Sequence, residues 1–562
     1  MCDMTNLRKI VTLLMPLFLS ACNNLIEPHF TRVPEYTLPI NVRADLPKMV
    51  RAVTPLDSTL IDPRLETMKK TPISLTEALE KTSAPVDANA SGIYPLTDGV
   101  EAFAVRNALI KNAQHSLDLQ YYSLQRGLSS RLLIREMVRA ADRGVRVRIL
   151  VDDMDMLGRD HEMTVLSAHP NIQVRLFNPI RRFRSTMVSR VIMFAVNLPT
   201  QHRRMHNKLW LADGVLGIAG GRNIGDRYFN AGDQDNFSDL DVLLSGKVVE
   251  EMGASFDAYW NSKQAFPVEV FEKHPEGDDA AIQRMIFKTN ALTRKERVAR
   301  HPYLAALAEA ENRVLPTVLP ELTWGRVDFF ADAPEKVVQP APHLGVTVEG
   351  SASVPFNALI PHIKSAQKEV FIVSPYFIPG DGLIEVLADL VKKGVRVVLL
   401  SNSLQSNDVP LVNGPYGRYR LPLLKAGVEL YELRGYPGGD KVPQWRLPIF
   451  SWRGSRAALH TKAVVIDGET SFVGSMNIDP RSIVWNTEVG IMTQQKDFAD
   501  KIRRVFLSAI DRRYSYHVTL DGDGKLNWSP QIEGNPPIKR EPGNFWRRLQ
   551  RNIGVSAVET FL

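Results

Sequence analysis

The sequence predicts an α/β protein built from two similar lobes, and three observations carry that expectation. A short signature occurs twice: His206-Asn207-Lys208, Asp213 and Gly220-Gly221-Arg222-Asn223, then His460-Thr461-Lys462, Asp467 and Gly474-Ser475-Met476-Asn477. Its His, Lys, Asp and Asn recur at one offset (460−206, 462−208, 467−213 and 477−223 each give 254). Arg143-Gly144-Val145-Arg146-Val147 is echoed by Lys393-Gly394-Val395-Arg396-Val397 at nearly the same spacing (394−144 gives 250). Around both copies, helical and strand-like apolar spacings alternate in the same order. Two copies are too few for a solenoid, so the duplication implies paired α/β domains.

A chain of 562 residues suits two or three domains, and its 44% hydrophobic and 23% charged content is that of a globular protein. The net charge of +7 permits an anionic partner, lipid or nucleic acid, without naming one. Both cysteines, Cys2 and Cys22, lie at the extreme N-terminus. The remainder therefore has neither a disulfide nor a thiolate metal site, and it contains no His-Glu-x-x-His cluster. No metal and no cofactor is expected.

In chain order, Arg8-Lys9, the apolar run Ile10 to Leu19 and Ser20-Ala21-Cys22 describe an export signal over residues 1–21, too short to span as a stable helix. Leu19-Ser20-Ala21-Cys22 resembles a bacterial lipobox, whose cleavage leaves Cys22 as a lipid-modified N-terminus. Asn23 stands where an Asp would resemble an inner-membrane retention signal, which favours the outer membrane. Regular prolines over residues 22–90 discourage long helices and read as a semi-extended tether.

The first lobe spans residues 91–267. Val100 to Ala113 has helical spacing and His115 to Tyr121 alternates as a strand. Ser129 or Ser130 is placed to cap a helix that Gly144 ends, and strands follow over Val145 to Val151 and Ile172 to Phe177. Residues 268–345, with Leu304 to Ala310 helical, form a bridging segment to which no chemistry is assigned. The second lobe, 346–516, repeats the order: helix Leu359 to Gln367, strand Glu369 to Tyr376, helix Leu383 to Lys392 capped by Asp381, and strand Val395 to Leu400. Residues 517–562 form a basic tail.

Strand side chains alternate, so His206 and Lys208 share one face while Asn207 points away, and His460 and Lys462 do the same. Asp213-Gly214 reads as a hairpin turn, after which Val215 to Ala219 returns and brings Asn223 back to the level of the histidine. Two such half-sites supply two imidazoles, two ammoniums and two amides, a set suited to a tetrahedral phosphate. Asp213 and Asp467 lie in the turns and are expected to hold the hairpins rather than touch the phosphate.

These signatures resemble the paired motifs of the phospholipase D superfamily over residues 91 to 516. The flanks Arg203-Arg204-Met205-His206, Gly225-Asp226, Phe237-Ser238-Asp239-Leu240-Asp241-Val242 and Ala426-Gly427-Val428-Glu429-Leu430-Tyr431-Glu432 are similar to the C-type cardiolipin synthases and their lipoprotein relatives. The resemblance implies two α/β/α sandwich lobes packed as a pseudo-dimer around one active site. It implies that His206 attacks phosphorus and forms a phosphatidyl-histidine, while His460 protonates the leaving alcohol and then deprotonates the incoming hydroxyl. Lys208, Lys462, Asn223 and Asn477 would bind the non-bridging oxygens, with Ser475 as an extra donor. The first copy has Gly221 where the second has Ser475, which reads as division of labour. Asp241 and Glu488 follow their histidines at similar distances and are expected to fix the imidazole tautomers. The implied reaction is cardiolipin formation, from phosphatidylglycerol or phosphatidylethanolamine onto phosphatidylglycerol. Hydrolysis to phosphatidic acid and phosphodiester cleavage are the alternatives.

Three stretches suit an anionic bilayer surface. Arg181 to Lys208 holds seven basic residues and no acid around the apolar run Val191 to Val196. Trp445, Phe450 and Trp452 precede His460 in a loop. Lys539 to Arg551 holds five basic residues with Phe545, Trp546 and Leu549. Basic stretches interleaved with apolar runs, rather than with stacking aromatics, argue for phospholipid and against nucleic acid.

Overall fold

The computed structural model describes residues 74–82, 87, 89–156, 158–180, 202–232, 235–272, 281–286, 314–339, 350–436, 446–447, 450–451, 456–530 and 537–557. The export signal, Cys22, most of the tether, the helix expected over Leu304 to Ala310, the run Val191 to Val196, Trp445 and Trp452 lie outside them, as does the side chain of Phe450.

In the first lobe the strands are β1 (Ser91–Leu96), β2 (Ser116–Tyr121), β3 (Arg146–Asp152), β4 (Ile172–Phe177), β5 (Leu209–Ala212), β6 (Leu216–Gly220), β7 (Asp235–Ser238), β8 (Asp241–Gly246) and β9 (Ala265–Pro267). The bridging segment adds β10 (Thr323–Gly325) and β11 (Val327–Ala331). The second lobe contributes β12 (Glu369–Val373), β13 (Arg396–Asn402), β14 (Glu429–Leu433), β15 (Arg446–Leu447), β16 (Phe450–Ser451), β17 (Arg456–Leu459), β18 (Ala463–Ile466), β19 (Thr470–Gly474), β20 (Val489–Thr493), β21 (Ser515–Leu520) and β22 (Leu526–Ser529). One nine-stranded sheet runs β10-β1-β8-β6-β5-β2-β3-β4-β9, and the other runs β11-β20-β19-β18-β12-β13-β14-β21-β22. Their centres correspond strand for strand. β2-β3-β4 and β12-β13-β14 are parallel, and β5-β6-β8 and β18-β19-β20 are antiparallel.

The alternation of strand residues explains how the lobes face each other. Val370 and Ile372 of β12 join an apolar core of the second lobe, whereas Phe371 and Val373 join a core shared with the first. Leu209 and Leu211 of β5 meet that shared core from the other side, and Trp210 and Ala212 turn into the first lobe's own core. Helices Lys247–Trp260 and Lys496–Ala509 fill the middle with Met252, Phe256, Phe498, Ile502 and Phe506. At about 1.5–3 kcal/mol for each large side chain fully buried, this layer fixes the mutual position of the lobes.

The bridging segment is more than a connection: β10 extends the first sheet and β11 the second. The second sheet continues past residue 516, since β21 and β22 form its edge. Two helix starts differ from expectation. The helix Leu128–Asp142 contains Ser129 and Ser130, and two of its first N–H groups are taken by Asp226, which opens a distant 3-10 turn (Leu128 N at 2.9 Å, Ser129 N at 2.7 Å). Asp381 lies inside the helix Gly380–Lys392 and makes no cap. In the first case a tertiary carboxylate replaces the local hydroxyl.

Candidate active site

Both signatures lie where the chain enters the middle of a sheet, His-x-Lys immediately before β5 and β18. The turns behave identically. Asp213 (φ +55°) with Gly214 (φ +68°) and Asp467 (φ +55°) with Gly468 (φ +69°) turn in the left-handed region. Asp213 accepts from the N–H groups of Gln114, His115 and Ser116, each at 2.8 Å. Asp467 takes those of Gln367, Lys368 and Glu369 at 2.9, 2.7 and 2.9 Å. Both aspartates thus tie the hairpin to the start of the neighbouring strand, away from the imidazoles.

The histidines are held by crossed contacts. His206 N–H donates to Thr487 O (2.9 Å) and His460 N–H to Ser238 O (2.8 Å). The residue after each acceptor carries the carboxylate: Glu488 Oε2 lies 2.8 Å from His206 Nδ1, and Asp239 Oδ2 lies 2.6 Å from His460 Nδ1. Each lobe therefore orients the other lobe's imidazole through Nδ1 and leaves Nε2 outside this contact. β7 and β17 reinforce the crossing as a parallel pair between lobes, Ser238 opposite Leu459, with Arg456 on Asp235 at 2.7 Å.

The expectation for Asp241 is corrected. Its carboxylate is buried against Arg106 (2.7 Å) and accepts from the Arg222 N–H (3.0 Å), so it serves the first lobe's interior. Glu488 is in place, but on His206. The misreading is one of register. Asp239 and Glu488 follow Ser238 and Thr487 at one offset (487−238 and 488−239 both give 249), whereas Asp241 matches Gly490. A hydroxyl residue followed by an acid was the available signal.

Ser475 is likewise redirected. Its hydroxyl donates to Glu488 Oε2 (2.5 Å) and accepts from the Val489 N–H (2.9 Å), so it positions the carboxylate instead of facing a phosphate. Gly221 explains the asymmetry: a Cβ there would come within 2.0 Å of Asp239 Oδ1. The shorter aspartate needs the space that the longer glutamate leaves to a serine.

Lys208 Nζ donates to His206 O at 2.6 Å, and Lys462 Nζ lies 3.1 Å from His460 Nδ1. The Asn223 amide bonds the Ser123 N–H (3.2 Å) and the Tyr228 hydroxyl (2.9 Å), and the Tyr228 ring stands edge-on to His460 with centroids 5.2 Å apart. Asn477 is buried, and its amide oxygen has no partner among the described residues. Tyr122 stands edge-on to His206 (5.2 Å), and Phe237 packs on His460 (4.9 Å). These aromatic walls carried no duplicated signal in the sequence.

Burial dominates the electrostatics. It holds the His206 pKa well below the ordinary imidazole value, helped by the charges of Lys208, Lys462 and His460. Burial and Lys462 lower His460 too, against the pull of Asp239. Lys208 is pushed down to about 7 and Lys462 to about 8 by burial, with Glu488 and Asp239 the respective opposing carboxylates. Burial raises Glu488 to about 7 despite Lys208 and the Ser475 hydrogen bond. Asp239 is held at about 2, because His460 and Lys462 outweigh its burial. The two carboxylates thus differ: one is fully ionised, the other titrates near neutrality.

A family model described as cardiolipin synthase, PLD-like domain, matches residues 107–260 and 359–510, more than half of the chain. The chain belongs to this phospholipase D-like family of cardiolipin synthases. It is 36% identical over 487 residues to cardiolipin synthase C of Escherichia coli K12, covering 84% of this chain and 96% of that protein. It is 32% identical over 443 residues to an uncharacterized protein of Helicobacter pylori 26695 (77% and 81% covered). It is 25% identical over 419 residues to a cardiolipin synthase of Geobacillus kaustophilus (74% and 66% covered). The two family matches fall on the two lobes, one signature in each, and the cardiolipin synthase domain is therefore present twice.

Proposed function

We propose that the protein is a phosphatidyltransferase that makes cardiolipin, moving a phosphatidyl group from phosphatidylglycerol or phosphatidylethanolamine onto phosphatidylglycerol. One observation carries the reading: each imidazole has its Nδ1 held by a carboxylate from the opposite lobe, which leaves both Nε2 atoms outside these contacts, and His460 lies within electrostatic reach of His206. The Escherichia coli relative bears cardiolipin synthesis in its name.

His206 Nε2 attacks phosphorus, and the bond from phosphorus to the headgroup oxygen breaks as His460 Nε2 protonates that oxygen. His460, now neutral, takes the proton of the incoming glycerol hydroxyl. That oxygen attacks the phosphatidyl-histidine, and His206 leaves. Covalent catalysis splits one difficult displacement into two, and a placed imidazole contributes about 10²–10⁴-fold through proton transfer. Glu488 stabilises the positive charge that develops on His206, and Asp239 does so for His460. Lys208, Lys462 and the two asparagine amides stabilise the charge on the non-bridging oxygens, a task that otherwise falls to a metal. Among the described residues no group of three or more His, Cys, Asp or Glu converges as a metal site.

The proposal places the protein in a bacterial envelope, anchored through lipid on Cys22 and facing the periplasm, with the outer membrane favoured over the inner. Among the described residues no helix is long and apolar enough to cross a membrane. Purified protein incubated with defined phospholipids and a chelator, with products read by mass spectrometry, tests the chemistry. Cardiolipin is expected. Phosphatidic acid alone would make the protein a hydrolase, and cleavage of single-stranded DNA with neither lipid product a nuclease. His206→Ala and His460→Ala should each remove nearly all turnover while far-ultraviolet circular dichroism stays unchanged.

A further inference from the structure

The C-terminal segment ends in the helix Phe545–Ala557, whose first turns expose Phe545 (68% accessible), Trp546 (69%) and Leu549. Phe545 and Trp546 stand edge to face with centroids 5.5 Å apart. Such side chains normally lose water on folding, yet these point outward from a helix that is itself firmly held. Arg547 donates to Leu404 O (3.0 Å) and Asn407 O (2.5 Å), in the loop that follows β13. Glu541 takes Asn413 (2.9 Å) and Arg420 (2.5 Å) on one oxygen and Arg551 on the other.

These ties bracket the loop at Asn407 and Asn413, and between them Val409 and Leu411 are exposed as well. The loop also carries Asp408, which accepts from the Tyr376 hydroxyl (2.7 Å) and whose charge bears on His460 and Lys462. The helix is thus tied to a loop that exposes apolar residues of its own and whose Asp408 lies within electrostatic reach of His460 and Lys462. The charge of the segment from Lys539 to Arg551 is mainly positive at its surface. Lys539 and Arg540 are exposed, while Glu541, the only acid of the segment Lys539 to Arg551, is buried among arginines. An apolar stripe flanked mainly by positive charge, with Asp521 within electrostatic reach of Lys539, matches the boundary between acyl chains and anionic headgroups.

We propose that the Phe545–Leu549 stripe, with Val409 and Leu411, docks on an anionic phospholipid bilayer and holds the mouth of the cleft against it. This deepens, and rests on, the phospholipid reading of the site. Clamping by Arg547 and Glu541 fixes the stripe relative to His460, so insertion of the aromatics sets the orientation of the cleft as well as adding affinity.

The test uses the full chain carrying Cys22→Ser, so that lipid on the cysteine does not contribute. Flotation is measured with vesicles of phosphatidylglycerol and phosphatidylethanolamine, and with vesicles of phosphatidylcholine. The parent should prefer the anionic vesicles. Phe545→Ser/Trp546→Ser/Leu549→Ser should weaken that binding about tenfold or more, and Lys539→Gln/Arg540→Gln should abolish the preference between the two compositions. Turnover of a short-chain, monomeric phosphatidylglycerol should be unchanged in both. Undiminished flotation of the triple variant would overturn the proposal. So would an equal loss of turnover on the short-chain lipid, or a stripe shown by light scattering to join two copies of the chain. Because flotation is read without turnover, failure of the transferase reading leaves this result distinct.

Discussion

Glu488, from the second lobe, lies 2.8 Å from Nδ1 of His206 in the first, so neither half of this chain holds a complete site. The mirror contact from Asp239 to His460 closes the exchange. Glu488→Gln and Asp239→Asn should each lower kcat by about 10²-fold or more, because the tautomer is lost and the imidazolium unsupported. Steady-state transfer assays check this. Retention of near-normal kcat in either variant would remove that carboxylate from the mechanism.

Asp241→Asn separates the neighbouring acid from the chemistry. It leaves the buried Arg106 without its ion pair, a loss of about 3–5 kcal/mol in such settings. The thermal midpoint should fall sharply, while kcat of the folded fraction stays within a few-fold. Loss of kcat at an unchanged midpoint would reverse the assignment of Asp239 and Asp241.

Activity should pass through a narrow maximum near neutrality. Glu488 must be ionised to support His206, and it titrates at about 7, whereas Lys208 and Lys462 must keep their protons and lose them at about 7 and about 8. Glu488→Gln should therefore flatten the acid limb of the residual pH–rate profile. Stability follows the same shift with a definite sign. The folded chain retains the Glu488 proton up to about 7 while the unfolded chain releases it at 4.5, so this contribution is full below 4.5 and lost as pH rises through 7. Asp239, held at about 2 against 3.8, contributes above 3.8 and ceases to as pH falls through 2. Glu488→Gln should be more stable than the parent at about pH 8, by up to about 3 kcal/mol, and equal to it at about pH 4. Denaturant midpoints at the two values decide it.

The Gly221 and Ser475 positions should not tolerate exchange equally. Gly221→Ala sets a methyl within 2.0 Å of Asp239 Oδ1 and displaces the support of His460, so transfer should drop by about 10²-fold or more. Ser475→Ala removes one hydrogen bond to Glu488 and should cost about tenfold or less, with the acid limb moved to higher pH. A larger loss from Ser475→Ala than from Gly221→Ala would contradict the packing account.

Asp213→Ala and Asp467→Ala each abandon three backbone N–H groups in a turn that alanine adopts poorly. A destabilisation of about 2 kcal/mol or more is expected at either site, with activity of the folded protein retained. Chemical denaturation followed by assay of the refolded fraction checks both halves of that statement.

The duplication, the strand order around each signature and the turns at Asp213 and Asp467 were legible in the sequence, since each depends on neighbours within about ten residues or on a repeat. So were the histidines and lysines as a phosphate-binding set, because alternation in an extended segment puts His and Lys on one face. The caps at Asp226, the strands contributed by residues 323–331 and the aromatic walls at Tyr122 and Tyr228 were not. Each joins segments far apart in the chain and leaves no periodic trace.

By itself the sequence determined that there are two half-sites and which side chains each presents. Only the tertiary structure decided which carboxylate serves which imidazole. Spacing measured within one lobe suggests a partner in that lobe, but packing of the two sheets through Met252, Phe256, Phe498 and Ile502 puts Thr487-Glu488 beside His206 and Ser238-Asp239 beside His460. That choice is made by apolar burial and cross-lobe backbone hydrogen bonds, whose partners lie more than two hundred residues apart.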